Sequence, residues 1–183
     1  LASDSLSTSE SPMSVLPSFL KGAMKGIGQA QLGSDNLTKQ VISNTTSAVM
    51  SLIGRFQDKL TSTSRTARSA NEKAAFEELL GLVMETIVGG LTNTGLSNDA
   101  LGDGLGEAVG AMVSSLDEAK TDAAEMTTAV QAIAKKAVQK AASVPGMDAS
   151  KAIKSIAKNT VKGLDENKMN PAQVTATLNE AVE

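Results

Sequence analysis

Residues 97–116 read S-N-D-A-L-G-D-G-L-G-E-A-V-G-A-M-V-S-S-L, and this stretch decides the fold class. Its large apolar residues, Leu101, Leu105, Val109, Met112 and Leu116, recur in steps of three and four, the period of one helix face, whereas a half-buried strand would alternate at two. Ser97 stands where an N-cap belongs, Leu96 before it is placed to pack on Leu101, and Asp99 favours the positive end of the helix dipole. Gly102, Gly104 and Gly106 spell G-x-G-x-G. No strand precedes them and no Gly-Lys-Ser/Thr follows, so they read as seats for a neighbouring helix, as does Gly110, and not as a phosphate loop.

Forward of this stretch the same phase runs through Ala119, Ala123, Met126, Val130, Ile133, Ala137, Ala141 and Val144. Read literally, residues 98–143 form one helix about 69 Å long. Thr121 and Asp122 followed by Glu125 offer a fresh cap, and a pair of shorter helices is the open alternative. Backward, Phe76, Leu79, Leu80, Val83, Met84, Ile87 and Leu91 mark a helix from near Asn71 that stops at Gly89-Gly90 and the Asn93–Gly95 turn. A Ser34/Asp35 cap opens another, carrying Leu37, Val41, Ala48, Leu52, Phe56 and Leu60. Before it, Val15, Phe19, Leu20, Ala23, Met24 and Ile27 form a first helix ending near Gly33, with Pro17 in its first turn. Toward the C-terminus, Asp148 caps a helix with Ile153, Ile156 and Val161 that ends near Gly163. A further turn-cap unit at Met169, Asn170, Pro171 and Val174 announces a seventh helix.

The expectation is therefore an all-α, compact bundle of six or seven amphipathic helices without a sheet, spanning residues 13–183. A Ser/Thr-rich disordered tail at 1–12 precedes it, and 61–69 is its longest internal loop. The recurring turn-cap units suggest an array of similar pieces, although no fixed period is sustained.

Composition narrows the chemistry. Three Phe with no Trp or Tyr leave a core of Leu, Ile, Val, Met and Ala, which requires closely packed helices. The eight Met residues fall mostly on apolar stripes, either as ordinary filling or as a core able to repack. With no His and no Cys, thiol nucleophiles, the usual zinc ligand sets and the commonest proton-transfer side chain are gone. Paired acids such as Glu77/Glu78, Asp117/Glu118 and Asp165/Glu166 lack calcium-loop spacing and read as solvated faces. No enzyme, metal, cofactor or small-molecule ligand is expected. No run of apolar residues is long enough for a membrane span. The sequence begins at Leu1 without an initiator Met, which suggests processing or a longer parent chain. Two N-x-Thr triplets, at Asn36 and Asn44, leave glycosylation open.

Charge is laid out unevenly. Residues 1–70 carry seven Lys/Arg against four Asp/Glu, residues 71–134 two against eleven, and residues 135–183 eight against five. One reading is pairing of surface helices within the domain. The other is head-to-tail association that weakens as salt rises, with Glu77, Glu78, Glu85, Asp117 and Glu118 as its acidic contacts. The acidic total without Trp or Tyr excludes a typical nucleic-acid binder.

The segment Phe76–Leu116, F-E-E-L-L-G-L-V-M-E-T-I-V-G-G-L-T-N-T-G-L-S-N-D-A-L-G-D-G-L-G-E-A-V-G-A-M-V-S-S-L, resembles the helical non-repetitive or long-repeat domains of spider silk proteins. The shared plan is a helix opening with Phe, a Gly-bearing T-G-L-S-N turn and a second helix closing on V-S-S-L. The resemblance implies a secreted, extracellular structural protein that stays soluble in storage, associates with itself or other silk proteins, and helps fibre or glue assemble. Two further classes compete with it: a secreted amphipathic-helix carrier of lipid or another apolar ligand, and a helical adaptor or effector that binds a partner helix.

Overall fold

The computed structural model describes residues 12–60, 70–117 and 123–166. They form six helices: α1 (Pro12–Gln29), α2 (Asp35–Leu60), α3 (Ala70–Leu91), α4 (Asn98–Ser114), α5 (Ala123–Ala141) and α6 (Ala149–Glu166). No strand occurs among the described residues, and the all-α expectation holds. The uninterrupted apolar phase from Leu101 to Val144 is divided between α4 and α5, with a turn at 115–117. The expected tail, the 61–69 loop and the turn-cap unit at Pro171 lie outside the described residues, apart from Pro12, which opens α1.

The topology follows from which residues meet. Met24 of α1 lies at Gly90 of α3, and Gly28 lies at Asn93 and Thr94, so position rises along both helices together. The same parallel register links α3 to α5 through Lys73–Glu125 and Glu85–Lys136. It links α2 to α4 through Asp35–Ser97 and Lys39–Gly104, and α4 to α6 through Gly102–Ala152 and Gly110–Asn159. The chain is thus three helical hairpins, α1–α2, α3–α4 and α5–α6, stacked side by side. Odd helices form one layer and even helices the other, with the core between them. Leu20, Ile42, Met50, Ile53, Leu80, Met84, Ile87, Leu105, Met112, Val130 and Ile133 are fully enclosed in that core.

Each hairpin turns by the same device. Gly33, Gly95 and Gly146 adopt φ of 76°, 78° and 79°, the left-handed region where a Cβ is penalised. Beside each is an apolar residue packed against the core, Leu32, Leu96 or Met147, and then a residue that opens the next helix, Ser34, Ser97 or Asp148. Ser34 Oγ accepts the Leu37 N–H at 3.2 Å and Asp148 Oδ1 accepts the Lys151 N–H at 3.0 Å. Ser97 departs from the expected cap: its side chain makes no cap hydrogen bond and is turned instead to the neighbouring hairpin. Leu96 packs against the core that includes Leu101, and its Cδ1 also lies against Gly104.

Gly102, Gly106 and Gly110 of α4 act as the spacing suggested, whereas Gly104 is covered first by the Leu96 side chain of the preceding turn. A Cβ on Gly102 would meet the Ala152 backbone N at 3.0 Å, one on Gly106 the Ser155 carbonyl carbon at 2.8 Å, and one on Gly110 the Asn159 Cβ at 3.0 Å. The expected stop of α3 holds, since the helix ends at Leu91 between Gly89-Gly90 and the 92–95 turn, and α6 runs past Gly163 to Glu166. Both glycines also serve packing: a Cβ on Gly90 would lie 2.8 Å from Met24 Cβ, and one on Gly163 2.9 Å from Val113 Cβ.

Gly106→Val should therefore destabilise the fold by about 3 kcal/mol through overpacking against backbone. Gly81→Ala, where an added Cβ meets nothing within 4 Å, should stabilise by about 0.5–1 kcal/mol. Urea midpoints at constant slope check the pair. Equal effects of the two substitutions would contradict the seating of α6 on α4.

Candidate functional site

The three turns lie along one edge of the array and are tied to one another. Asp35, in the first turn of α2, accepts the Ser97 N–H at 3.1 Å and the Ser97 hydroxyl at 2.6 Å. These two bonds, helped by the charge of Lys39, hold the Asp35 carboxyl below the usual carboxylate range. On the other side of α4, Lys151 Nζ donates to the Asp99 carbonyl and approaches Asp103 Oδ2 at 3.7 Å. The Asn98 side chain fills the space beside Gly146. An open groove of about 650 Å³ runs between the first two turns, bordered by Gly33, Ser34, Asp35, Thr38 and Thr94. The hydroxyls nearest its floor are already engaged: Thr38 Oγ1 donates to Ser34 O at 3.0 Å and Thr94 Oγ1 to Leu91 O at 2.6 Å. Such side-chain-to-backbone bonds brace helix ends.

A second, smaller groove of about 300 Å³ lies between the C-terminal ends of α3 and α5, bordered by Glu85, Val88, Lys140 and Val144. Glu85 bridges Lys136 at 3.0 Å and Lys140 at 2.6 Å. Hydrogen bonds from Lys140 and then Lys136 hold its carboxyl below the ordinary range. Further along the same helix pair, Glu125, only 5% exposed, meets Lys73 at 3.2 Å.

Of the acids expected to form an assembly contact, Glu77 is half-buried and Glu78 exposed on the N-terminal half of α3, and Asp117 is exposed just beyond α4. Glu118 lies outside the described residues. Glu85 stands apart from Glu77 and Glu78 and is held by lysines of its own chain. Glu85–Lys136, Glu85–Lys140 and Asp103–Lys151 join the acidic middle segment to the basic C-terminal one, and Lys73–Glu125 lies within the middle. Sequence reasoning singled out Glu85 but missed Asp35 and Ser97, whose meeting depends on two turns being neighbours.

Among the described residues there is no group of three or more His, Cys, Asp or Glu placed to hold a metal ion, and no helix is long and apolar enough to cross a membrane. No protein-family model matches the chain, and no curated protein is significantly similar to it.

Both bridging carboxyls have folded-state pKa values below their unfolded ones. Their stabilisation is therefore complete above the ordinary carboxylate range, about 4, and is lost as pH falls through the lower folded values. The urea midpoint should fall between about pH 5 and pH 2.5, and fall less in an Asp35→Asn/Glu85→Gln double variant. Equal pH slopes in the two proteins would show that neither bridge forms in solution.

Proposed function

We propose that this chain is a non-catalytic, secreted structural module of the silk-protein type, a soluble helical array whose task is to associate with copies of itself or with related chains. The observation that supports this reading is the stacking plan. Each hairpin buries its lateral sides against the next, and among the described residues the outermost hairpins have no further hairpin beyond them. In arrays of this type terminal units need a polar outer face to stay monomeric. Here the first hairpin leaves Val15, Phe19 and Leu37 exposed at 46%, 53% and 43%. Val161 of the third is 40% exposed, about two and a half turns from Ala152 and so on the side of α6 turned from α4.

The carrier reading has less support. The two grooves are open to solvent and bordered by turns and charged groups, whereas a site for an apolar ligand is enclosed and mostly apolar. In cis pairing of Glu85, Asp103 and Glu125 also shifts the weight of assembly away from the acidic segment and toward the uncovered ends.

Sedimentation velocity of the full chain across a thousand-fold concentration range, with calorimetric titration of fatty acids alongside, tests the proposal. A mass that rises with concentration and no heat of fatty-acid binding is the expected pair of results. A constant monomer mass with saturable fatty-acid binding would replace the structural module by a carrier.

A further inference from the structure

The outer side of α1 has an order that the fold does not use. Val15 lies nine residues from Met24 and Phe19 nine from Gly28, about two and a half turns in each case. Met24 and Gly28 face α3, so Val15 and Phe19 face outward from the array. Gly22 and Gly26 share that outward face, and a Cβ at either would meet nothing within 4 Å. Neither adopts a positive φ. Glycine weakens a helix interior relative to alanine, and no turn or neighbour among the described residues requires it at these two positions. In α4, by contrast, glycines at the same four-residue spacing seat a neighbouring helix. Ala30 continues the stripe, its N–H still bonded to Gly26 O at 3.0 Å. The row Val15, Phe19, Gly22, Gly26, Ala30 carries no charge.

We infer that this face of α1 is a self-complementary docking surface on which α1 of a second copy packs antiparallel, Phe19 of each copy seated on Gly26 of the other. The inference rests on the self-association proposed above and names the surface that performs it. A two-fold axis passing between Gly22 and Ala23 places residues whose numbers sum to 45 opposite each other. Phe19 then faces the partner's Gly26 and Val15 faces the partner's Ala30, a large side chain against a small one in both cases. This match of the face with itself selects a second copy over an unrelated helix. The contact is continuous in kind with the chain's internal stacking, where glycine-bearing faces receive helices laterally. Its area is adequate for a reversible pair: α1 is about 27 Å long, and with the adjoining edge of α2 the face is about 20 Å wide. That is on the order of 550 Å² in projection, below the roughly 800 Å² per partner of a standard stable complex and in the range of transient ones.

Lys25 is exposed beside the row, and the two-fold brings both copies' Lys25 to one side of the seam. Salt screens that repulsion, so the pair should persist or tighten from about 20 mM to about 0.5 M NaCl, where a contact between acidic and basic segments would loosen.

The test uses the full chain and the absence of native cysteine. Under mild oxidation Gly22→Cys, next to the axis, should give a disulfide-linked dimer, and Asn44→Cys on α2 should give at least tenfold less. Gly26→Gln fills the seat without touching the fold and should weaken dimerisation measured by sedimentation at least tenfold, with its urea midpoint unchanged or raised. Phe19→Ser should weaken it comparably. A chain that stays monomeric at every concentration overturns both this inference and the self-association reading. Association undiminished by Gly26→Gln and Phe19→Ser, or abolished by salt, overturns the α1 surface alone and leaves self-association standing.

Discussion

The seating of α6 on α4 is the contact on which the rest of the array depends. Removing side chains from Gly102, Gly106 and Gly110 lets the backbone of α6 approach to van der Waals distance, and Gly163 returns the favour to Val113 of α4. A chain with three Phe and no Trp or Tyr has no large side chains to fill wide inter-helix space. Close approach is how such a chain reaches interior packing density. The approach also fixes register: Ala152, Ser155 and Asn159 each meet one glycine, so a slip of α6 by a residue would set a Cβ against backbone.

From that contact the layered plan follows. Once α4 and α6 lie parallel, α5 must return between them, and the hairpin turns are brought to one edge. The edge is then tied by polar contacts, Asp35 to Ser97 on one side of α4 and Lys151 to Asp99 and Asp103 on the other. These exposed bonds add modestly to stability; their effect is to align the hairpins. Part of the unequal charge along the chain is met within the molecule, since Lys136, Lys140 and Lys151 of the basic C-terminal segment reach Glu85 and Asp103 of the middle.

Lateral stacking has a cost at its ends, and this bears on function. A hairpin buries its sides only where a neighbour exists. Among its described residues the central hairpin leaves only Leu82 of the large apolar side chains exposed, while α1 keeps a row with Val15 and Phe19 open to solvent. The assembly role that we propose, in the manner of silk-protein helical domains, draws on this property of the architecture and needs no catalytic group.

The sequence by itself determined the helical class and nearly every helix start. Apolar spacing of three and four, Ser34 and Asp148 as caps, and the glycines before them are local signals written within a few residues of one another. It also marked the α4 glycines as seats for a helix, because G-x-G-x-G inside a helical phase has few other uses. Tertiary structure alone decided the rest. The choice between one long helix and the pair α4 and α5 stayed open in sequence, because the apolar phase runs on unchanged across the break while Thr121, Asp122 and Glu125 offered a fresh cap. Gly90 marks the end of α3 in sequence and Gly163 looks like a stop for α6, but that both also seat a side chain, Met24 and Val113, only the tertiary structure shows. Asp35 and Ser97 are separated by more than sixty residues, and parallel neighbours in a layer are joined by chain that carries no record of their contact. Local propensity is encoded in adjacent residues; which faces meet is encoded in the fit between them.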